Sequence, residues 1–194
     1  GSPFSDTKRQ LEPVKPLAEQ GKIRCVLSRA DLHPGKISSL VPGALLAIEG
    51  GDAFEGKLQN LDLFYAEGVR MVTLLHERDN EIGFNQRSSS DGPLTTFGIE
   101  LVEKMNEMGV LIDVAHARSG TLKHIAEVST KPLIDSHTGL VLSGEERQGS
   151  RRLRTWAEME TVAATGGVVC TWPFAHAGQK AQRTSFKDWA TELL

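Results

Sequence analysis

Four residues able to bind a divalent ion or move a proton recur at one place in the sequence pattern. Glu49 closes "LLAIE", His76 closes "MVTLLH", His116 closes "LIDVAH" and His137 closes "PLIDSH", each at the end of a short apolar run. Imidazole nitrogen and carboxylate oxygen together suit zinc or a similar divalent ion, with open positions left for water. An ion held that way lowers the pKa of its water to about 7 and supplies a nucleophile at neutral pH. A plainer reading has Glu49 facing the dipole of a following helix and the histidines capping their strands. The residues alone leave both open.

Weaker candidates surround these four. Arg152 lies in the basic "GSRRLR" (149–154), beyond the His137 run. It can grip a substrate carboxylate bidentately, or belong to an exposed basic turn. Asp135, two residues before His137, is expected on the same strand face, as an extra ligand or, more simply, as a packing or hydrogen-bonding group. His33, His124 and His176 fall in a loop, a helix and a loop and read as surface residues. Gly50-Gly51 and Gly166-Gly167 match no phosphate-loop spacing and read as turns. No Ser or Cys stands in a nucleophile elbow.

These positions depend on a repeating rhythm of elements. "GALLAIE" (43–49), "VRMVTLLH" (69–76), "VLIDVAH" (110–116), "PLIDSH" (132–137) and "VVCTWPF" (168–174) are short runs, apolar throughout. Between them lie helical patterns near 54–68, 97–108, 120–129 and 155–165, and a last one follows from 185. Apolar strands separated by amphipathic helices predict a parallel sheet covered on both faces. In such folds ligands gather at the C-terminal edge of the strands, where the four candidates fall. Upstream, residues 1–42 read as an N-terminal helix, weakened by Pro13 and Pro16, and a short strand in "KIRCVLS" leading into the domain of residues 43–194.

Bulk properties narrow the partners. The 194 residues carry 22 Lys and Arg against 25 Asp and Glu, a net charge of −3. Such a balance offers no basic field for nucleic acid or anionic lipid. No run approaches the roughly 18 apolar residues of a membrane span, and no secretion signal opens the chain. Gly1-Ser2 resembles an expression remnant, so the compartment stays open. Cys25 and Cys170 are expected to be buried free thiols.

"LLAIEGGD", "VTLLHERDNEIG", "GPLTTFGIELVEKMNEMGVLIDVAH", "PLIDSHTG" and "SRR" stand in the order and spacing of the membrane (renal) dipeptidase family, which the chain resembles from about residue 8 to 194. The resemblance implies an amidohydrolase-like α/β fold of the (β/α)8 TIM-barrel type and a metal-dependent hydrolysis of dipeptides by a metal-bound hydroxide. Carried over by motif, it makes Glu49 the carboxylate bridging two zinc-type ions and His116 and His137 the ligands of one of them. It likewise implies that His76 contacts the substrate and its tetrahedral intermediate, and that Arg152 contacts the substrate.

The pattern also departs from that family. No H-x-D pair, the ligand set of the family's first metal, occurs in the 194 residues. Nor is there a counterpart of the final strand with its proton-handling Asp. By this register strands three to seven are evident, five of eight, which leaves one plausible metal site and two open sheet edges prone to association. A longer protein, a completing chain or homo-oligomer, and a non-catalytic homologue acting as a binding or interaction module each fit such a barrel.

Overall fold

The computed structural model describes residues 1–33, 40–141, 152–173 and 185–191. Its strands are β1 (Arg24–Cys25), β2 (Gly43–Ala44), β3 (Leu46–Glu49), β4 (Val69–Thr73), β5 (Leu111–Asp113), β6 (Ile134–Leu140), β7 (Leu153–Arg154) and β8 (Val168–Thr171). The helices are α1 (Pro3–Leu11), α2 (Val14–Glu19), α3 (Gln59–Ala66), α4 (Thr96–Met108), α5 (Ser119–Val128), α6 (Trp156–Ala164) and α7 (Phe186–Thr191).

Every strand pairing is parallel. Strand order runs β3-β4-β5-β6, with β7 and β8 both on β6, while β1 pairs with β2 immediately upstream of β3. Parallel neighbours need a crossover between them, which α3, α4, α5 and α6 supply. This is part of a (β/α) barrel of the TIM type. The short strand read in "KIRCVLS" exists, as β1.

The sheet's two faces differ in burial. Ile48, Val72 and Ile112 are register partners across β3, β4 and β5, and all three lie in the core with Leu61, Leu101, Met105, Leu122 and Ile125 of the helices. Each such side chain removed from water contributes roughly 1.5–3 kcal/mol. On the opposite face the partners Ala47, Met71 and Leu111 stay at least partly exposed. That face is the interior of a barrel whose sheet does not close among the described residues.

Local chemistry sets the helix ends. Thr95 caps α4 by accepting the Gly98 amide, and Gly109 ends it at φ 70°, a conformation favouring glycine. A reciprocal capping box of Thr155 and Glu158 opens α6. Pro16 sits in the first turn of α2, where its missing N–H costs no helical bond, so the two prolines divide the N-terminal helix without abolishing it. Helix α1 docks through Phe4, whose ring lies 5.0 Å from that of Phe64 and whose amide donates to Glu55 Oε1.

The strands are shorter than the apolar runs suggest. β4 ends at Thr73 and β5 at Asp113, so His76 and His116 each lie three residues past a strand. His137 falls within β6, and Glu49 is the last residue of β3. Apolar residues continue past β4 and β5 because Leu74, Leu75, Val114 and Ala115 are fully buried beneath the loops they begin. Gly50 and Gly51 form the expected turn: Gly50 adopts φ 109°, and a Cβ on Gly51 would meet the Leu74 carbonyl at 2.7 Å.

Candidate functional site

At the C-terminal edge of the sheet four side chains converge. Glu49 Oε1 lies 3.3 Å from His116 Nε2, 3.3 Å from His137 Nε2 and 3.5 Å from His76 Nε2. The Nε2 atoms of His116 and His137 are 2.9 Å apart. One coordinating atom each from Glu49, His76 and His116 lies within 4.8 Å of the others. His137 approaches Glu49 and His116 at least as closely. All four candidates read from strand ends therefore share one point of the fold.

His116 reaches that point through an unusual backbone. Its φ is 66°, in the left-handed region that costs a non-glycine residue about 1 kcal/mol or more. The turn is held by Ala117 N donating to Val114 O at 3.0 Å and Gln86 N donating to His116 O at 2.7 Å. Its side chain is 4 % exposed. Burial, then the nearby charge of Arg152 and the other two histidines, pushes its pKa from the usual 6.5 down to about 3. It is therefore a neutral imidazole at physiological pH, the form a metal requires.

The other histidines are held by different means. Asn85 Nδ2 donates to the His76 carbonyl, anchoring the chain where it leaves β4. That Asn belongs to a loop pinned by Asp79, whose carboxylate accepts the Asn85 amide and the Ser88 hydroxyl, both at 2.7 Å. His137 Nδ1 lies 2.7 Å from Ser136 Oγ, which donates to Asp113 Oδ2 at 2.6 Å.

Arg152 stands over Trp172, with its guanidinium carbon 4.4 Å from the ring centroid. Trp172 also packs 5.1 Å from the ring of His137. Its amide donates to Thr138 O at 3.1 Å, which extends the β8 ladder and fixes the indole beside the histidine. Burial and nearby Arg87 lower the Arg152 pKa, while Glu77 and Glu49 oppose the shift. Residues 149–151 of the basic segment lie outside the described residues.

Several expectations change. Asp135 does not share a site face with His137, because the β6–β8 register shifts between Asp135 and Thr138. Its Oδ2 accepts Arg154 Nε at 2.6 Å in a fully buried ion pair, which is the simpler of the two expectations, a packing and hydrogen-bonding group rather than an extra ligand. His124 is half-buried rather than a surface residue, and its Nδ1 accepts the Leu94 amide at 3.0 Å. His176 lies outside the described residues. Cys25 and Cys170 are free as expected, but only half-buried.

Sequence reasoning missed Trp172, Arg154, Ser136 and Asp113. The last two carried a faint signal, a carboxylate inside the apolar "LIDVAH" and a hydroxyl beside His137.

The donor set suits a divalent cation. Three neutral-capable imidazoles and one carboxylate bring their atoms to a common volume, which is the composition of zinc-type sites. The close His116–His137 pair would otherwise need a proton shared between two nitrogens.

The sequence profile of the membrane dipeptidases (peptidase family M19) matches residues 3–193. Dipeptidase verJ of Clonostachys rogersoniana is 30 % identical over 155 residues, 74 % of this chain and 38 % of that protein. Human dipeptidase 3 is 32 % identical over 111 residues, 54 % of this chain and 22 % of that protein. Among solved structures, an amidohydrolase from Pseudomonas aeruginosa superposes with a TM-score of 0.84 at 27 % identity, covering 97 % of this chain and 57 % of that one. A metallopeptidase from Rhodobacter sphaeroides, liganded with a phosphinate mimic of the dipeptide L-Ala-D-Ala, shares the fold with a TM-score of 0.76 at 19 % identity, covering 91 % of this chain and 52 % of that one. The chain thus spans less than two thirds of the length of these relatives. No helix among the described residues is long and apolar enough to cross a membrane.

Proposed function

Because the chain belongs to the membrane dipeptidase family, peptidase family M19, we propose that its site hydrolyses the peptide bond of dipeptides, with zinc or a similar ion held by Glu49, His116 and His137. The observation carrying this reading is the convergence of Glu49 Oε1 with the Nε2 atoms of three histidines at 3.3–3.5 Å. When bound, the metal supplies Lewis acidity, which polarises a carbonyl and furnishes a water-derived nucleophile at neutral pH.

The chain's own residues supply the rest. Glu49 is the one carboxylate of the constellation and offsets the cation's charge. Its side chain is 47 % exposed. His116 stays neutral because it is buried among positive groups, and neutral imidazole is the charge state in which a histidine binds a metal. His76, 37 % exposed, has Nε2 3.5 Å from both Glu49 and Glu77. In this reading it donates a hydrogen bond to a substrate carbonyl oxygen as negative charge develops there. Arg152, stacked on Trp172, offers a planar fork for the substrate's terminal carboxylate.

Metal content and dipeptide hydrolysis, measured together on the intact protein, test this reading. Bound divalent metal, with hydrolysis lost on chelation and restored by zinc, is the expected result. A His116→Ala protein that keeps its metal and its hydrolysis would overturn it.

A further inference from the structure

We infer that Asp113 and Ser136 form a positioning relay that fixes His137 as its Nδ1–H tautomer, so that its Nε2 presents a lone pair to the metal; this rests on the assignment of His137 as a ligand. Asp113 is fully buried and accepts four hydrogen bonds. The amides of Ala115 and Ser136 donate to its Oδ1, both at 3.0 Å. The hydroxyls of Thr73 and Ser136 donate to its Oδ2, both at 2.6 Å. Thr73 is on β4, Asp113 on β5 and Ser136 on β6, so one carboxylate ties three strands at the edge that carries the site.

Proton counting then decides the tautomer. Ser136 has one hydroxyl proton and gives it to Asp113, leaving only lone pairs to face His137 Nδ1 at 2.7 Å. Two facing lone pairs would repel, so Nδ1 carries the proton. A neutral imidazole protonated at Nδ1 has its lone pair on Nε2, the atom 3.3 Å from Glu49 Oε1. Metal-bound histidines characteristically donate their other ring N–H to a carboxylate or carbonyl, which fixes ring and tautomer. Here a serine stands between histidine and carboxylate.

The two inner histidines differ in this respect. Nδ1 of His116 faces Gln86 Nε2 at 3.4 Å, too long to fix its tautomer. His137 is thus set before metal arrives, and His116 can turn its Nε2 proton toward His137 Nε2 at 2.9 Å until then.

A purely structural brace would give Ser136 no influence on the imidazole, and this separates the alternatives. Long-range 1H–15N NMR of histidine side chains in the intact, metal-free protein near neutral pH reads the tautomer directly; His137→Ala assigns the signal. His137 is expected wholly as the Nδ1–H form. In Ser136→Ala it should shift toward the Nε2–H form, and zinc affinity should fall by about tenfold to a hundredfold. Ser136→Thr, which keeps the hydroxyl, should restore both, whereas Thr73→Val should lower stability and leave the tautomer unchanged. An Nε2–H tautomer in the unsubstituted protein overturns the relay whatever the variants do. So does a Ser136→Ala protein with unchanged tautomer and zinc affinity. Should His137→Ala bind zinc as tightly as the parent, the ligand assignment falls instead, while the tautomer still reports on the relay.

Discussion

Arg154 Nε and Asp135 Oδ2 meet at 2.6 Å, with side chains only 3 % and 0 % exposed. The remaining guanidinium nitrogens donate to the carbonyls of Ala117 and Val114, each at 2.6 Å, on either side of His116. One buried cation therefore balances a carboxylate on β6 and clamps the turn that presents a candidate ligand. Burial of Arg154 disfavours its charge, but Asp135, Glu158 and Asp113 outweigh that cost, so its pKa is raised.

Arg154→Met should destabilise the fold by about 3–5 kcal/mol, because it leaves Asp135 buried without its cation. Urea unfolding measures the loss. Metal affinity should fall as well, since the Val114–Ala117 turn loses two of its tethers. A loss under about 1 kcal/mol, typical of exposed pairs, would contradict the clamp.

The left-handed backbone of His116 gives a comparison between two small residues. His116→Gly and His116→Ala both remove the imidazole and should both lose metal. Glycine accepts φ 66° without the Cβ clash, so the glycine variant should be the more stable by about 1 kcal/mol despite its smaller side chain. Chemical denaturation of the two proteins side by side decides it. Alanine as the more stable variant would mean that the turn relaxes once the ring is gone.

Acid should weaken the metal-free protein through the same residue. The His116 pKa drops from 6.5 to about 3 on folding, so between those values the unfolded chain binds more protons. Its contribution is fully present above about pH 6.5 and is lost progressively as pH falls toward 3. The slope from this one group is at most about 1.4 kcal/mol per pH unit. His116→Gln should flatten stability against pH across that window; an unchanged profile would assign the acid sensitivity elsewhere.

Trp172 should matter to substrate binding rather than to chemistry. It supports Arg152 by cation–π contact and walls His137. Trp172→Ala should cost about 1 kcal/mol, hence raise KM about fivefold, with kcat little changed. Trp172→Phe should recover much of the loss. A fall in kcat with unchanged KM would place the indole's role at the reacting bond instead.

The order of the five longer apolar strands and the helices between them, the parallel arrangement and the positions of Glu49, His76, His116 and His137 near one sheet edge were legible from local pattern, whereas the two-residue strands β2 and β7 were too short to leave one. Apolar run length and helical periodicity depend on each segment's own burial, so they survive in a single sequence. The family resemblance rests on the same contiguous motifs. Which polar groups meet across strands was not legible, because that depends on register between segments far apart in the chain. Thr73 faces Asp113 from 40 residues away, and a register shift inside β6 sends Asp135 to Arg154 instead of to His137. The three-residue overshoot of His76 and His116 beyond their strands was hidden for a related reason: buried loop residues are as apolar as strand residues. Sequence alone determined the candidate ligand types and the edge on which they gather. Tertiary packing decided how close they come, the backbone each adopts and which hydroxyl, carboxylate or ring holds each in place, because those outcomes depend on long-range register and burial.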